Sequence, residues 1–228
     1  MAQLPPMPAA FSAVPLSSFG MRVTLAQARV ESCCRVGDAL RRTARTIPVV
    51  PELMTAFAAY SHGTEFATPA GPCIAVEDVE PGIELRVMDG SVTQILWVGM
   101  LDLTPQMAGR LFTEGDAPLV RILPDRYGYA RPSRDLILGA HAQVGRSRQL
   151  AFECVDGEQV LPVTPPGPVR LFQLVCDRPD TELIANGLGV PGFTLGGWLE
   201  QQDPLVQGVM QGFLPGGNRP GLAGVRVA

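Results

Sequence analysis

The chain has 228 residues, 46% hydrophobic and 18% charged, which is the composition of a globular protein that can bury a sizeable core. Its formal net charge is −4 at pH 7 and its basic residues, all of them arginine, form no basic block, so we expect no binding to nucleic acid. The absence of lysine also excludes Schiff-base chemistry and a Walker-type phosphate loop.

The five cysteines are odd in number and form no C-x-x-C pair, which argues against a disulfide framework and against a zinc site. We therefore expect no metal and no cofactor, and two buried thiols at Cys33 and Cys34 rather than a strained disulfide between neighbours. No apolar run is long enough to cross a bilayer, and no basic residue precedes the apolar stretch 5–19. These features predict no membrane association and a cytoplasmic location by default, while export without a conventional signal peptide stays open.

The N-terminal part of the chain divides into an arm and a more regular segment. Residues 1–20 are rich in Pro and Ala and predict an extended arm. From Met21 to Arg45 the apolar positions suit one face of a helix, although Met21–Leu25 fits a strand equally well. Pro48 and Pro51 then mark a boundary, and the residues that follow, 52–60, have high helical propensity.

From Thr64 to about Gly196 the sequence predicts a succession of short strands separated by turns. Asp89-Gly90 and Asp156-Gly157 lie between apolar runs and predict hairpins, because both favour positive φ. Cys73 lies in one of these runs, and we expect it to be buried. The predicted strands are residues 65–68, 73–79, 84–88, 92–98, 119–123, 134–138, 142–144, 150–155, 159–163, 169–176 and 181–185. Their number and spacing indicate an antiparallel all-β fold.

After Gly197 the pattern becomes helical. Asp203 followed by Pro204 is typical of an N-cap and a first helical residue. The apolar residues then repeat as on one side of a helix, up to the Pro-Gly-Gly at 215–217. We expect this short amphipathic helix, 204–214, to pack on the β domain, with binding to a partner as the alternative.

The stretch from Ala59 to Gly99 contains three recognisable motifs. They are Gly-Thr-x-x-Ala-Thr-Pro-x-Gly, then Val-Glu-Asp-x-x-Pro-Gly, then Trp-Val-Gly. Together they resemble the start of a Hint domain, the self-processing module shared by hedgehog proteins and inteins, and the resemblance is closest to bacterial members. It covers about residues 59–197 and implies a compact antiparallel Hint-like fold of many short strands. A first strand is then expected at about Ala59, where local propensity favours helix.

Two later blocks extend the resemblance. Residues 134–141 are similar to the family's Asp-Leu-x-x-Ser-Pro-x-His element, with His141 on the histidine and Leu138 where a hydroxyl residue is expected. Residues 171–178 and 182–187 resemble a run that ends in Ala-Asn-Gly, in which Gln173 and Pro179 replace family histidines. The residues that support the fold are kept, whereas polar residues of the site are lost.

The resemblance implies chemistry at the first residue of the domain. In a Hint domain the side chain of that residue attacks the preceding carbonyl carbon, and a nearby His protonates the leaving nitrogen. The family's cysteine stands four residues before the Gly-Thr, and here that position is Ala59, which has no nucleophile. We therefore predict a degenerate Hint-like domain that has lost autoprocessing and acts as a structural or protein-interaction module.

The alternative is a self-cleaving or self-ligating domain. It would use an N-to-O acyl shift at Tyr60-Ser61, with Ser61 as the nucleophile and His141 or His62 as the general acid. In both cases the expected organisation is an arm at 1–20, a mixed segment at 21–58, the Hint-like domain at 59–197, and a helix with a tail at 198–228. A protein partner would bind the N-terminal segment or the helix 204–214.

Overall fold

The computed structural model describes residues 27–107 and 117–214. Short strands dominate these ranges, as the sequence predicts. The strands are β1 Gln27–Val36, β2 Ala39–Pro48, β3 Tyr60–Ser61, β4 Glu65–Ala67, β5 Cys73–Ala75, β6 Glu84–Arg86, β7 Val92–Leu103, β8 Leu119–Ile122, β9 Leu136–Gly139, β10 Gln143–Val144, β11 Gln149–Leu150, β12 Val160–Val163, β13 Val169–Cys176, β14 Glu182–Ala185 and β15 Leu188–Pro191. The α-helices are α1 Pro51–Thr55, α2 Leu195–Glu200 and α3 Pro204–Gln211, and short 3-10 helices cover Val76–Asp78 and Ala151–Cys154.

The strands form one large and two small sheets. The large sheet has the order β12-β8-β9-β3-β13-β7-β1-β2, with β6 also paired to β7. The small sheets have the orders β15-β14-β4-β5 and β10-β11. All the pairs between these strands are antiparallel, which confirms the predicted all-β class.

The predicted N-terminal helix is wrong over the described part of Met21–Arg45, because residues 27–48 form the β1–β2 hairpin. Gly37 has a φ of +58° in the two-residue turn, a conformation that most residues disfavour. Along the first half of β1 every second residue is buried, starting at Ala28, which is the period of a strand and not of a helix. Residues 1–20 and Met21–Leu25 lie outside the described residues.

Local signals in the rest of the chain give a mixed outcome. Asp89-Gly90 does connect two paired strands, β6 and β7. Asp156-Gly157 also forms a turn, but β12 after it pairs with β8 and not with the segment before it. Residues 76–78 of the strand predicted at 73–79 and residues 151–154 of the strand predicted at 150–155 are 3-10 helices, and β15 was not predicted.

The predictions for residues 52–60 and for the Asp203 cap are both confirmed in their main features. Residues 52–60 begin as helix α1 and reach strand β3 at Tyr60, so propensity and family pattern each describe one end of the segment. The Asp203 side chain accepts a hydrogen bond from the Val206 N–H at 2.9 Å and caps α3.

Two hydrophobic cores lie on opposite sides of the central strands. Strand β13 illustrates this, because Phe172 and Leu174 enter one core while Leu171 and Val175 enter the other. The first core is built from the strands that follow residue 58, with Tyr60 and Phe66 among its members. The second core, as we call it, joins the first and the last described segments to the sheet. Its buried residues include Ala28, Val30, Ile47, Leu53, Phe57, Trp97, Leu101, Val206, Met210 and Phe213.

Candidate functional site

The peptide bond between Ala58 and Ala59 is held between two strands of the large sheet. The Ala59 N–H donates to the Phe172 carbonyl on β13 at 2.9 Å, and the Ala59 carbonyl accepts from the Gly139 N–H on β9 at 2.9 Å. The Ala58 N–H donates to the Met54 carbonyl at 2.8 Å, which closes the turn after α1. Ala59 itself is buried, so the backbone on both sides of this bond is fixed by hydrogen bonds and packing.

Gly139 is required for the close approach of β9 to this bond. A Cβ added at residue 139 would lie 2.0 Å from the Ala58 carbonyl oxygen, which is far inside van der Waals contact. Any side chain at this position would therefore push the end of β9 away from Ala58. The glycine sits two residues before His141, so the same approach brings the histidine to this region.

His141 lies beside the Ala58–Ala59 bond. It lines a small cavity together with Met54, Ala58, Gly139 and Leu171, and its ring contacts that of Phe152 edge-on at 5.8 Å. Burial lowers the pKa of the half-buried imidazole, while the Glu52 carboxylate opposes that shift. The ring is therefore mainly neutral at pH 7, a state that accepts a proton more readily than it donates one.

Ser61 lies on the same face of the sheet as this cavity. It stands opposite Leu171 in the β3–β13 pair, and residues directly opposite each other project to the same side. Its carbonyl accepts hydrogen bonds from the backbone N–H of Thr64 at 3.1 Å and from the Thr64 hydroxyl at 2.8 Å. The serine is buried, and its strand is paired on one side with β13 and on the other with β9.

His62 lies away from His141. Its side chain is 66% exposed, and Nε2 lies 3.2 Å from Glu77 Oε1, while Glu77 Oε2 accepts from the Gly63 N–H at 2.9 Å. It lines a groove of about 540 Å³ whose floor includes Met100 and Phe172. These residues alternate with Leu101 and Leu171 of the His141 cavity, so the two histidines face opposite sides of the sheet.

Gln173 has a contact that the sequence reasoning did not foresee. It is buried on β13, and its Nε2 donates to the Thr55 carbonyl at 2.9 Å, which ties the end of α1 to the sheet. The sequence does contain an indication of this contact, because a glutamine inside the apolar run Leu-Phe-Gln-Leu-Val needs a buried hydrogen-bond partner. Gln173 therefore holds in place the segment that leads to the Ala58–Ala59 bond.

Asn186 also has a structural role that was not predicted. Its φ is +47°, its Oδ1 accepts from the Glu65 N–H at 2.8 Å, and its Nδ2 donates to the Asp135 carbonyl at 2.9 Å. The side chain thus links β14 to β4 and to the segment before β9. The Ala-Asn-Gly run therefore holds strands together around the site.

All five cysteines are free thiols, and Cys33 and Cys34 are buried as predicted. The expectation for Cys73 is wrong, because it is exposed at the first position of β5, the edge strand of a small sheet. Within residues 27–107 and 117–214, no group of three or more His, Cys, Asp or Glu side chains is arranged to hold a metal ion. Over the same ranges, no helix is long and apolar enough to span a membrane.

A family model described as "Hint domain" matches residues 58–194, which is more than half of the chain, and the protein belongs to this family. Among solved structures, the chain is similar to the MchDnaB-1 intein (N145AA), with 15% identity and a TM-score of 0.43 over 59% of this chain and 100% of the intein. It is also similar to a bacterial intein-like domain from Clostridium thermocellum, with 12% identity and a TM-score of 0.43 over 60% of this chain and 99% of that domain. The comparison with curated proteins gave no match.

Proposed function

We propose that this protein is a Hint domain that no longer processes itself and that acts as a structural or protein-interaction module. The first support is chemical. Ala59 stands four residues before Gly63-Thr64, at the position where the family carries its cysteine, and the family match begins at residue 58. An alanine methyl group cannot attack a carbonyl carbon, and loss of a covalent nucleophile removes several orders of magnitude of rate.

The observation that carries the proposal is the position of the chain before Ala59. Cleavage after residue 58 would sever this segment from the rest of the domain, and here the segment is built into the fold. Strand β1 pairs with β7 over five register positions, and β2 pairs with β1 over ten. Leu53 and Phe57 are completely buried in the second core. Cutting the chain at residue 58 would leave strands of the large sheet without a covalent link to it.

The geometry at the bond also favours an inert domain. The N–H of Ala59, which would have to leave as an amine, donates to the Phe172 carbonyl. Burial lowers the pKa of His141, which lines the cavity beside Ala58, and so reduces the fraction of imidazolium that could protonate a leaving amine.

The competing function, an acyl shift at Tyr60–Ser61, draws its support from Ser61 facing the same side of the sheet as the His141 cavity. Against it, Tyr60 is paired with both Phe172 and Leu138. Formation of the five-membered ring would twist this central strand out of both ladders. His62 lies on the other face of the sheet and beside Glu77, which leaves His141 as the acid for this reaction.

Intact-mass measurement of the purified protein distinguishes the two functions. We expect a single species at 24.3 kDa, both with and without dithiothreitol or hydroxylamine. Fragments produced by a cut between residues 58 and 61 would overturn the proposal. A Ser61→Ala variant then identifies the nucleophile, because it abolishes such a cut only if Ser61 performs the shift.

A second experiment asks whether the missing nucleophile is the whole defect. Ala59→Cys restores a thiol beside the Ala58 carbonyl, and the matched control is Ala59→Cys with His141→Ala. If thiol-dependent cleavage appears after residue 58 in the first variant only, the surrounding site is still competent. If both variants stay intact, the defect extends beyond the nucleophile, to the other lost polar residues of the site or to the fixed segment before residue 59.

A further inference from the structure

Among the described residues, strand β2 forms one edge of the large sheet and has no strand on its outer side. It is ten residues long and pairs with β1 along its whole length, and no other described strand pairs with it. Seven of the eight residues from Ala39 to Thr46 are exposed. An unpaired strand of this length presents a row of backbone donors and acceptors to solvent, and such rows are templates for the addition of another strand.

The opposite edge of the same sheet shows how this protein protects an edge. Strand β12 is only four residues long and contains Pro162, which has no N–H to donate. In β2 the single proline is the terminal residue Pro48, and the register with β1 is unbroken over all ten pairs. Shortness, proline and bulges are thus absent from the body of β2, and of the protective devices that a strand itself can carry, β2 has charge.

The turn of the hairpin determines which residues of β2 face outward. In a two-residue hairpin the closing pair, here Val36 and Ala39, exchanges backbone hydrogen bonds, and the pattern alternates from there. The N–H and C=O groups of Leu40, Arg42, Ala44 and Thr46 therefore point away from β1. They provide four regularly spaced positions for an incoming strand.

The charge of β2 is of one sign. It carries Arg41, Arg42 and Arg45 and no acidic residue, in a protein whose net charge is −4. Two of these side chains are held in place, because Arg42 bonds to Glu80 at 3.0 Å and the Arg45 guanidinium lies 5.7 Å above the Phe213 ring. Pairing of β2 with a second copy of itself would bring two such basic rows together, which is unfavourable, whereas an acidic strand would be attracted.

We propose that the outer edge of β2 binds an extended, acidic segment of another protein by strand addition. The inference rests on the proposed function, since it names the kind of partner that the interaction module takes. The backbone ladder would provide affinity, and the three arginines would select acidic segments over basic ones and over a second copy of the chain.

The probe for this proposal is a fluorescein-labelled ten-residue peptide in which Glu alternates with Val or Thr, titrated with the full-length protein by fluorescence anisotropy. We expect saturable binding that weakens as salt is raised, and no binding of the same peptide with Lys in place of Glu. Arg41→Glu should weaken binding roughly three- to tenfold, because it replaces an attraction by a repulsion of similar size. Arg148→Glu, the matched control, makes the same change of charge near Asp180, outside the large sheet, and should leave binding unchanged.

The backbone part of the proposal is tested separately. Ala44→Pro removes an outward N–H without removing a bond to β1, and it should abolish binding while circular dichroism shows a folded protein. If that variant fails to fold, a Glu peptide N-methylated at every second residue gives the same test on the unmodified protein, and it should not bind. Equal binding of Glu and Lys peptides, unchanged binding after N-methylation, or β2-dependent dimers in sedimentation would each overturn the proposal. The intact-mass measurement is independent of these results, so failure of the edge does not count against the loss of processing.

Discussion

Phe57 provides the sharpest test of the claim that the segment before Ala59 is part of the fold. Its side chain is completely buried, and its ring contacts those of Trp97 at 5.3 Å and Phe213 at 5.2 Å, both edge-on. Replacing a buried Phe by Ala costs about 3–5 kcal/mol of unfolding free energy, and the two ring contacts favour the upper half of that range. Since domains have a total stability of about 5–15 kcal/mol, Phe57→Ala should remove a large part of it.

The measurement is urea unfolding of the full chain followed by tryptophan fluorescence, with Trp97 in the second core as the main reporter. The matched control is Phe152→Ala, because Phe152 is 46% exposed and its loss should cost less than about 1 kcal/mol. If Phe57→Ala also changes the unfolding free energy by less than about 1 kcal/mol, the segment before residue 59 is not part of the cooperative unit. The proposed loss of processing would then depend on the missing nucleophile at Ala59 alone.

Three further predictions concern the site, pH and thiol reactivity. Gln173→Leu leaves the Thr55 carbonyl without its donor and should lower the unfolding free energy by about 1–3 kcal/mol, whereas Gln173→Glu at a pH where it is protonated should restore part of it. Three backbone N–H groups lower the pKa of Asp156 from 3.8 to about 2. The stabilisation by its carboxylate is therefore present above pH 4 and is lost as the pH falls through 2. The melting temperatures of Asp156→Ala and of the parent protein should converge over that window. Labelling with a thiol-reactive dye should show a fast phase from the exposed Cys73, and Cys73→Ser should remove that phase. Burial raises the pKa of the Cys176 thiol to about 11, so Cys176 should react only after unfolding.

The described segments before and after the central strands both pack on the large sheet. The β1–β2 hairpin extends the large sheet beyond β7, and α3 covers the same side of the sheet as Phe57. The segment 28–57 and helix α3 bury apolar surface in one shared core with the central strands. Val206 and Met210 of α3 are buried there, so this face of the helix is not available to a partner. Of the two candidate surfaces, we therefore favour the N-terminal one, the β1–β2 hairpin.

The site was predictable only in part. The spacing of Ala59 before Gly63-Thr64 and the later His141 follow from motifs, which are local in sequence. That His141 and Ala58 line one cavity, while His62 faces the other side of the sheet, depends on the alternation of strands paired across long sequence separations. Sequence distance gives no access to such pairings, so the two histidines could not be ranked before the register was known.

The sequence by itself determined the features that arise within a few residues of the chain. Turns such as Asp89-Gly90, the Asp203 cap and the many short strands depend on local φ, on side-chain capping and on period-two burial, and they can be read directly. Only the tertiary structure decided between helix and hairpin for residues 27–48. The buried side chains of β1 gain their partners from β7, about 70 residues further along the chain, and that packing outweighs weak local preference.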